Sequence, residues 1–336
     1  MFKKINMLLL AFSVLSSLVS FDVLAQGQVL KMATVAPEGT TWVREMRVGA
    51  EAVAKETQNR VTFKFYAGGV MGNDQAVLRK IKLGQLHGGA VTSGALTDVY
   101  DGAALYSVPF QMRNMQEITQ IRKTLDVKIE AGLLKQGFVT LGTSDGGFAY
   151  LFSQHPVRSK ADLAGRKVWA PQGDEIARAV LEKVGVTPVL LPISDAYTAL
   201  QTGLADTIIA TPTGMIAFQW HTRVKYFIND PVAFTAGMIV LDQRVFNKLS
   251  ATDQAIVKKH MSAAFQRLNK INSAEDANAL AALAKNGIVT INPDQEVRNH
   301  WYHAADTVLA DFSARGLLNA ALYNDMRKTL NNFRKQ

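Results

Sequence analysis

Apolar and polar positions follow two rhythms along this chain, and the rhythm changes where Gly, Pro, Asn and Asp gather. Alternating or continuous apolar runs predict strands at residues 29–36, 61–66, 88–92, 138–143, 148–152, 167–170, 186–191, 207–210, 237–241 and 288–291. Apolar residues spaced by three and four predict the helices between them. The first carries Val43, Met46, Val53 and Ala54 inward and Arg44, Glu51 and Lys55 outward, with Thr40 or Thr41 as its cap. Further helices are predicted at residues 75–83 and 115–134. A last one starts with Pro293 at its first position and runs toward Gly316. The stretch 218–226 is amphipathic and leads to Asp230-Pro231.

Residues 162–212 hold the clearest unit. The strand at 167–170 ends in the loop 171–174, whose Asp174 caps a helix by accepting from free first-turn N–H groups. Ile176, Ala179, Val180 and Val184 share one side of that helix, and Gly185 ends it because glycine reaches positive φ without steric cost. The strand at 186–191 is apolar enough to be buried on both faces. Ser194 opens the next helix, and 207–210 closes the unit. This alternation predicts an α/β fold with ligands outside the carboxyl ends of the strands, in the loops after Trp169 and Ala210. From Ser250 to Asn286 there is neither Gly nor Pro, and Asp253 completes a capping pattern with Ser250. A helix over that span is about 50 Å long and outruns one small lobe, so it runs along two.

Composition narrows the function. Lys3 and Lys4, an apolar run at 7–19 and Val23-Leu24-Ala25 read as a signal peptide over residues 1–25, which implies export. The run is too short to cross a membrane comfortably. No cysteine is present, so neither a disulfide nor a catalytic thiol is available. The formal net charge is +9. The basic residues form no run of four and no aromatic platform, and with export this argues against nucleic acid. The charge reads as solvated surface.

The motifs that suggest chemistry are weak. The glycines at 68–72 and 142–147 lie outside any phosphate-loop or dinucleotide pattern and read as turns. His300 and His303 stand three apart on a predicted helix with no third ligand placed nearby, so no metal site is expected. No Gly-x-Ser-x-Gly elbow occurs, and neither catalysis nor a cofactor is expected. Trp169, at a strand end, either lines a cleft or fills the core, and Trp42 is placed the same way in the other half of the chain.

Four segments carry a resemblance: Ala36-Pro37-Glu38-Gly39-Thr40-Thr41-Trp42, Gly69-Val70-Met71-Gly72-Asn73-Asp74, Asp162-Leu163-Ala164-Gly165-Arg166-Lys167-Val168, and the stretch from Tyr197 to Asp206 reading YTALQTGLAD. Together they resemble the periplasmic substrate-binding subunits of TRAP transporters, the DctP-type family, over essentially the whole chain after residue 25. The resemblance implies a two-lobed α/β solute-binding protein with crossing hinge strands and a long helix spanning both lobes. It places lobe I at 28–147 plus 236–275 and lobe II at 148–235 plus 276–336. It also implies a periplasmic location and delivery of one cleft-bound ligand to membrane permease subunits driven by an ion gradient. Family members that bind carboxylates usually carry an arginine at the strand end where this chain has Trp169, and a second one near Gly147 is also missing. The chain therefore looks like an arginine-lacking branch, some of whose members are associated with a tetratricopeptide-repeat partner.

Carried over position by position, the expected ligand-binding residues are Trp42, Asp74, Thr92, Ser93, Trp169, Gly173, Asp174, Ile193, Thr211 and Trp220. Trp169 would stack on the ligand, while Asp74 reads more readily as a helix cap. Gln219, His221, Arg223 or Lys225 would supply a polar or cationic end to the site. The expected ligand is an organic acid or other small molecule with a substantial apolar part. The alternatives are a carrier or interaction protein working with the repeat-protein partner, and an exported enzyme on the same scaffold.

Overall fold

Two strands cross the whole molecule and tie its halves together. The computed structural model describes residues 27–335, so the leader expected over residues 1–25 lies outside the described residues. The first part of the chain forms Gln28–Thr34 (β1), Thr41–Glu56 (α1), Val61–Tyr66 (β2), Asp74–Lys82 (α2), Gly88–Thr92 (β3) and Met115–Lys135 (α3). The middle forms Phe138–Ser153 (β4), Lys160–Leu163 (α4), Lys167–Pro171 (β5), Glu175–Val184 (α5), Thr187–Leu191 (β6), Ala196–Thr202 (α6), Thr207–Ala210 (β7) and Pro212–Ala217 (α7). The last part forms Tyr226–Asp242 (β8), Gln243–Phe246 (α8), Ala251–Lys285 (α9), Val289–Ile291 (β9), Gln295–Ala314 (α10) and Ala320–Phe333 (α11).

The strands make one mixed sheet in the order β2-β1-β3-β8-β4-β7-β5-β6, with β9 added to β8. β4 and β8 pair antiparallel along nearly their full lengths. Their first and last portions therefore serve different halves of the sheet: β3 joins β8 at residues 237–241, and β7 joins β4 at residues 150–153. The separate strands expected at 138–143 and 148–152 are thus one element. The strand expected at 237–241 is the end of β8. Local patterning cannot see this, because the join passes through Gly146-Gly147, which reads as a turn. The register slips there, between Asp145 and Gly147.

α9 holds that crossing in place. Ser250 caps the helix by accepting from the Asp253 N–H, as its sequence pattern predicts. Asn269 Oδ1 accepts from the Asp145 N–H at 2.8 Å, and Asn272 donates to the Asp145 carbonyl. Arg122 reaches the Asp145 carboxylate at 2.5 Å and that of Asp126 at 2.9 Å.

Other expectations need correction. β6 is the outer strand of its edge and is only half-buried, so its apolar run does not mean burial on both faces. Ser194 lies inside a 3-10 turn, Ile193–Asp195, and no side chain caps α6. The stretch 218–226 holds a short 3-10 turn, Trp220–Arg223, before β8 begins. Pro293 precedes α10 and its N-cap, Asp294, rather than opening the helix. α11 is an additional helix that packs on α3 and on the 3-10 segment Asp101–Tyr106, so the last residues contact the first part of the chain.

Candidate ligand-binding site

A cavity of about 180 Å³ opens between the two halves of the sheet, against α5 and α10. At roughly 10–15 Å³ per water, that is room for a small organic molecule. Its floor is apolar and comes from one face of three neighbouring strands: Val168 and Ala170 of β5, Ile209 of β7, and Ala149 and Leu151 of β4. α5 adds Val180 and Val184, and α10 adds Trp301, which stacks against Phe110 at 5.7 Å. Phe234 of β8 also lines it.

The mouth is polar and belongs to both halves. On one side Asn73 caps α2 by accepting from the Ala76 N–H at 2.9 Å. Asp74 is therefore the first residue of the helix, not its cap. One of its carboxylate oxygens accepts from both the N–H and the hydroxyl of Thr92, each at 2.9 Å. The other oxygen, Oδ1, is buried without a partner among the described residues. Burial pushes the Asp74 carboxyl above its ordinary range, with the Thr92 hydrogen bonds pulling the other way. On the opposite side Asp174 caps α5 by accepting from the Ala177 N–H at 2.9 Å. Desolvation raises its pKa as well.

The two sides touch. Asn73 donates to the Gln172 side-chain oxygen at 3.5 Å. Gly173 has φ +90°, which favours glycine, and a Cβ on it would lie 2.2 Å from Gln75 Nε2, the free end of a flexible side chain that would have to shift.

Of the residues singled out in the sequence, Asp74, Thr92, Ser93, Gly173, Asp174 and Ile193 gather around this cavity. Four others do not. Trp169 lies between Val168 and Ala170, and a strand turns successive side chains to opposite faces. Its ring is 2% exposed and packs against Trp220 at 5.5 Å in a second apolar cluster with Phe152, Leu200 and Ile208. The expectation of an indole stacked on ligand gives way to a core residue. Trp220 is buried in the same cluster, stacked on Phe218. Trp42 packs over Gly237 of β8 and edge-on to Phe265 of α9. Thr211 caps α7 by accepting from the Gly214 N–H.

Nor does the 219–225 segment supply a cation to the cavity. His221 Nδ1 donates to the Met215 carbonyl, Arg223 lies over the Tyr197 ring and donates to its hydroxyl, and Lys225 is exposed. His300 Nε2 donates to the Val184 carbonyl, while His303 is exposed. Sequence reasoning missed the lining residues Leu151, Val168, Ala170, Phe110 and Trp301. Only Trp301 had a visible signal, as a large aromatic on a helix, and nothing local says which way it faces.

Residues 32–315 match the family described as bacterial extracellular solute-binding protein, family 7 (DctP). The C4-dicarboxylate-binding periplasmic protein DctP of Rhodobacter capsulatus is 22% identical over 286 residues, covering 83% of this chain and 84% of that protein. Two solved structures share the fold. Bordetella pertussis DctP7, an extracytoplasmic solute receptor binding pyroglutamic acid, superposes with a TM-score of 0.84 at 20% identity, over 91% of this chain and all of that one. A TRAP periplasmic solute-binding protein from Pseudomonas putida F1 with bound D-glucuronate gives 0.82 at 23% identity, over 90% and 97%.

Proposed function

The chain belongs to the DctP family of bacterial extracellular solute-binding proteins, and from that premise we propose that it captures a small organic solute with a substantial apolar part for a TRAP-type membrane permease. Membership makes it a periplasmic binding subunit that holds and releases its ligand, not an enzyme. The observation that carries the ligand reading is the cavity itself. An apolar floor is built from β4, β5 and β7, and the polar mouth above it, which belongs to both halves, is closed by contacts between Asn73 and Gln172 and between Gln75 and Gly173. Two walls that meet over a pocket support capture by hinge closure, the mode in which ligand affinity drives domain closure. The relatives named above carry small carboxylic acids, which sets the size class of the solute. The apolar part is argued from Val168, Ala170, Leu151 and their neighbours, since burying apolar surface contributes about 25 cal/mol per Å².

A ligand that binds only the folded state raises the melting temperature. A thermal-shift screen over organic acids, aromatic acids and amino acids, paired with denaturing extraction of the purified protein, tests the reading. The expected result is a recovered small molecule, released unchanged, that stabilises the stripped protein. Stripped protein that no solute in the screen stabilises, with nothing recovered on extraction, would remove the support for a solute-binding role.

A further inference from the structure

We propose that the solute carries a protonated amine on its apolar body, and that Asp74 is the group that receives the amine. This rests on the solute-binding reading above and adds the chemistry of the recognised end. Among the described residues, no Lys, Arg or His lines the cavity, whereas three carboxyl side chains do: Asp74, Asp98 and Asp174. Asp74 is 7% exposed, and its Oδ1 has no hydrogen-bond partner among the described residues although Oδ2 has two. A buried carboxylate oxygen left unpaired is costly, and the natural complement is a donor brought by the ligand. An ammonium supplies charge and hydrogen in one group. It would meet Asp74 at the polar mouth, with the carbon skeleton lying on Leu151, Val168 and Ala170.

A plain carboxylate is the opposite case. It would enter an apolar cavity without a cation to pair with and beside carboxyl groups of its own sign, which disfavours its charged form. Arg178, which lines the adjoining groove, is already paired with Glu175 at 2.7 Å and Glu182 at 2.9 Å. An acid that also bears an ammonium escapes the objection, because the ammonium answers the carboxyls and its carboxylate can turn to the hydroxyls and amides of the mouth.

The test uses four probes of one skeleton on stripped wild-type protein: L-phenylalanine, 2-phenylethylamine, N-acetyl-L-phenylalanine and 3-phenylpropionate. Thermal shift and titration calorimetry are expected to rank the two ammonium-bearing probes at least tenfold above the other two. Asp74→Asn, which keeps an acceptor for the Thr92 donors, is expected to erase that preference while leaving the unliganded melting temperature within a degree or two. Binding of 3-phenylpropionate equal to or tighter than the amines overturns the amine assignment and leaves the solute-binding reading intact. The same holds if no probe binds but a solute without an amine is recovered by extraction. If Asp74→Asn retains the preference, the amine is read elsewhere and the role of Asp74 falls. Because the four-probe ranking is made on wild type, it stands even if the variant fails to fold.

Discussion

Trp169 shows how much a single residue's direction decides. Its indole is enclosed by Trp220, Phe152 and Ile208, on the face of β5 that turns away from the cavity. Truncating a buried aromatic costs the transfer free energy of the ring and leaves a void, about 3–5 kcal/mol. Trp169→Ala is therefore expected to lower the melting temperature by several degrees while any protein that remains folded keeps its ligand affinity to within a few-fold. Equilibrium denaturation alongside calorimetry checks both halves. Strong loss of affinity at unchanged stability would put the ring back in the cleft. The strand's sequence, Val168-Trp169-Ala170, could not settle this, because its residues are apolar on both faces and the alternation that usually separates inside from outside is silent. Asp174 was legible for the opposite reason. A cap bonds to a residue three positions away, so the rule is local. Asp74 bonds to Thr92, which lies 18 residues on, and no local rule reaches that far.

Among the elements, the loop joining β5 to α5 and the first turn of α2 form the lips of the site. Gly173 has a left-handed φ and lies beneath the Gln75 amide. Gly173→Ala is expected to weaken ligand binding roughly tenfold or more with only a modest loss of stability. Strain at positive φ costs about 1 kcal/mol, and the added methyl displaces the Gln75 amide from the lip. Binding affinity measured beside the melting temperature separates the two effects, and unchanged affinity would show that the lips do not close on the solute. Both lips begin helices whose caps, Asn73 and Asp174, fix where the turn ends and so where Gln75 and Gly173 meet. The helices themselves followed from spacing and capping residues. Their approach to each other depends on how far β4 and β8 carry one half of the sheet toward the other.

At the scale of the molecule, α9 is the beam against which the crossing strands bear. Asp276, on that helix, accepts from the Thr213 hydroxyl at 2.9 Å and presses on the backbone of Gly147, where an added Cβ would fall 1.9 Å from its carboxylate. Burial raises its pKa from 3.8 to about 6. Between those values the folded protein holds a proton on Asp276 that the unfolded chain has released, so this group's contribution to stability falls as pH rises through that window and stays low above it. Asp276→Asn keeps an oxygen for Thr213 and has no charge to bury. Its melting temperature is expected to exceed that of wild type at pH 7.5, with the excess shrinking as pH is lowered through 6 toward 4. A difference that stays constant across that range would show that Asp276 carries no buried charge at the crossing.

The sequence by itself determined the class of fold, the order of most elements, the long helix and the family, because these rest on periodicity, caps and short segments of fixed spacing. It also determined that the site would hold no arginine at the strand end, since a residue type is read directly. The tertiary structure alone decided that one pair of apparent strands is a single crossing strand and that another apparent strand is the end of a second, that α11 returns to α3, and that Trp169 faces the core while Val168 and Ala170 floor the cavity. Each of these turns on which faces meet across long stretches of chain. Where both faces are apolar, packing rather than pattern chooses.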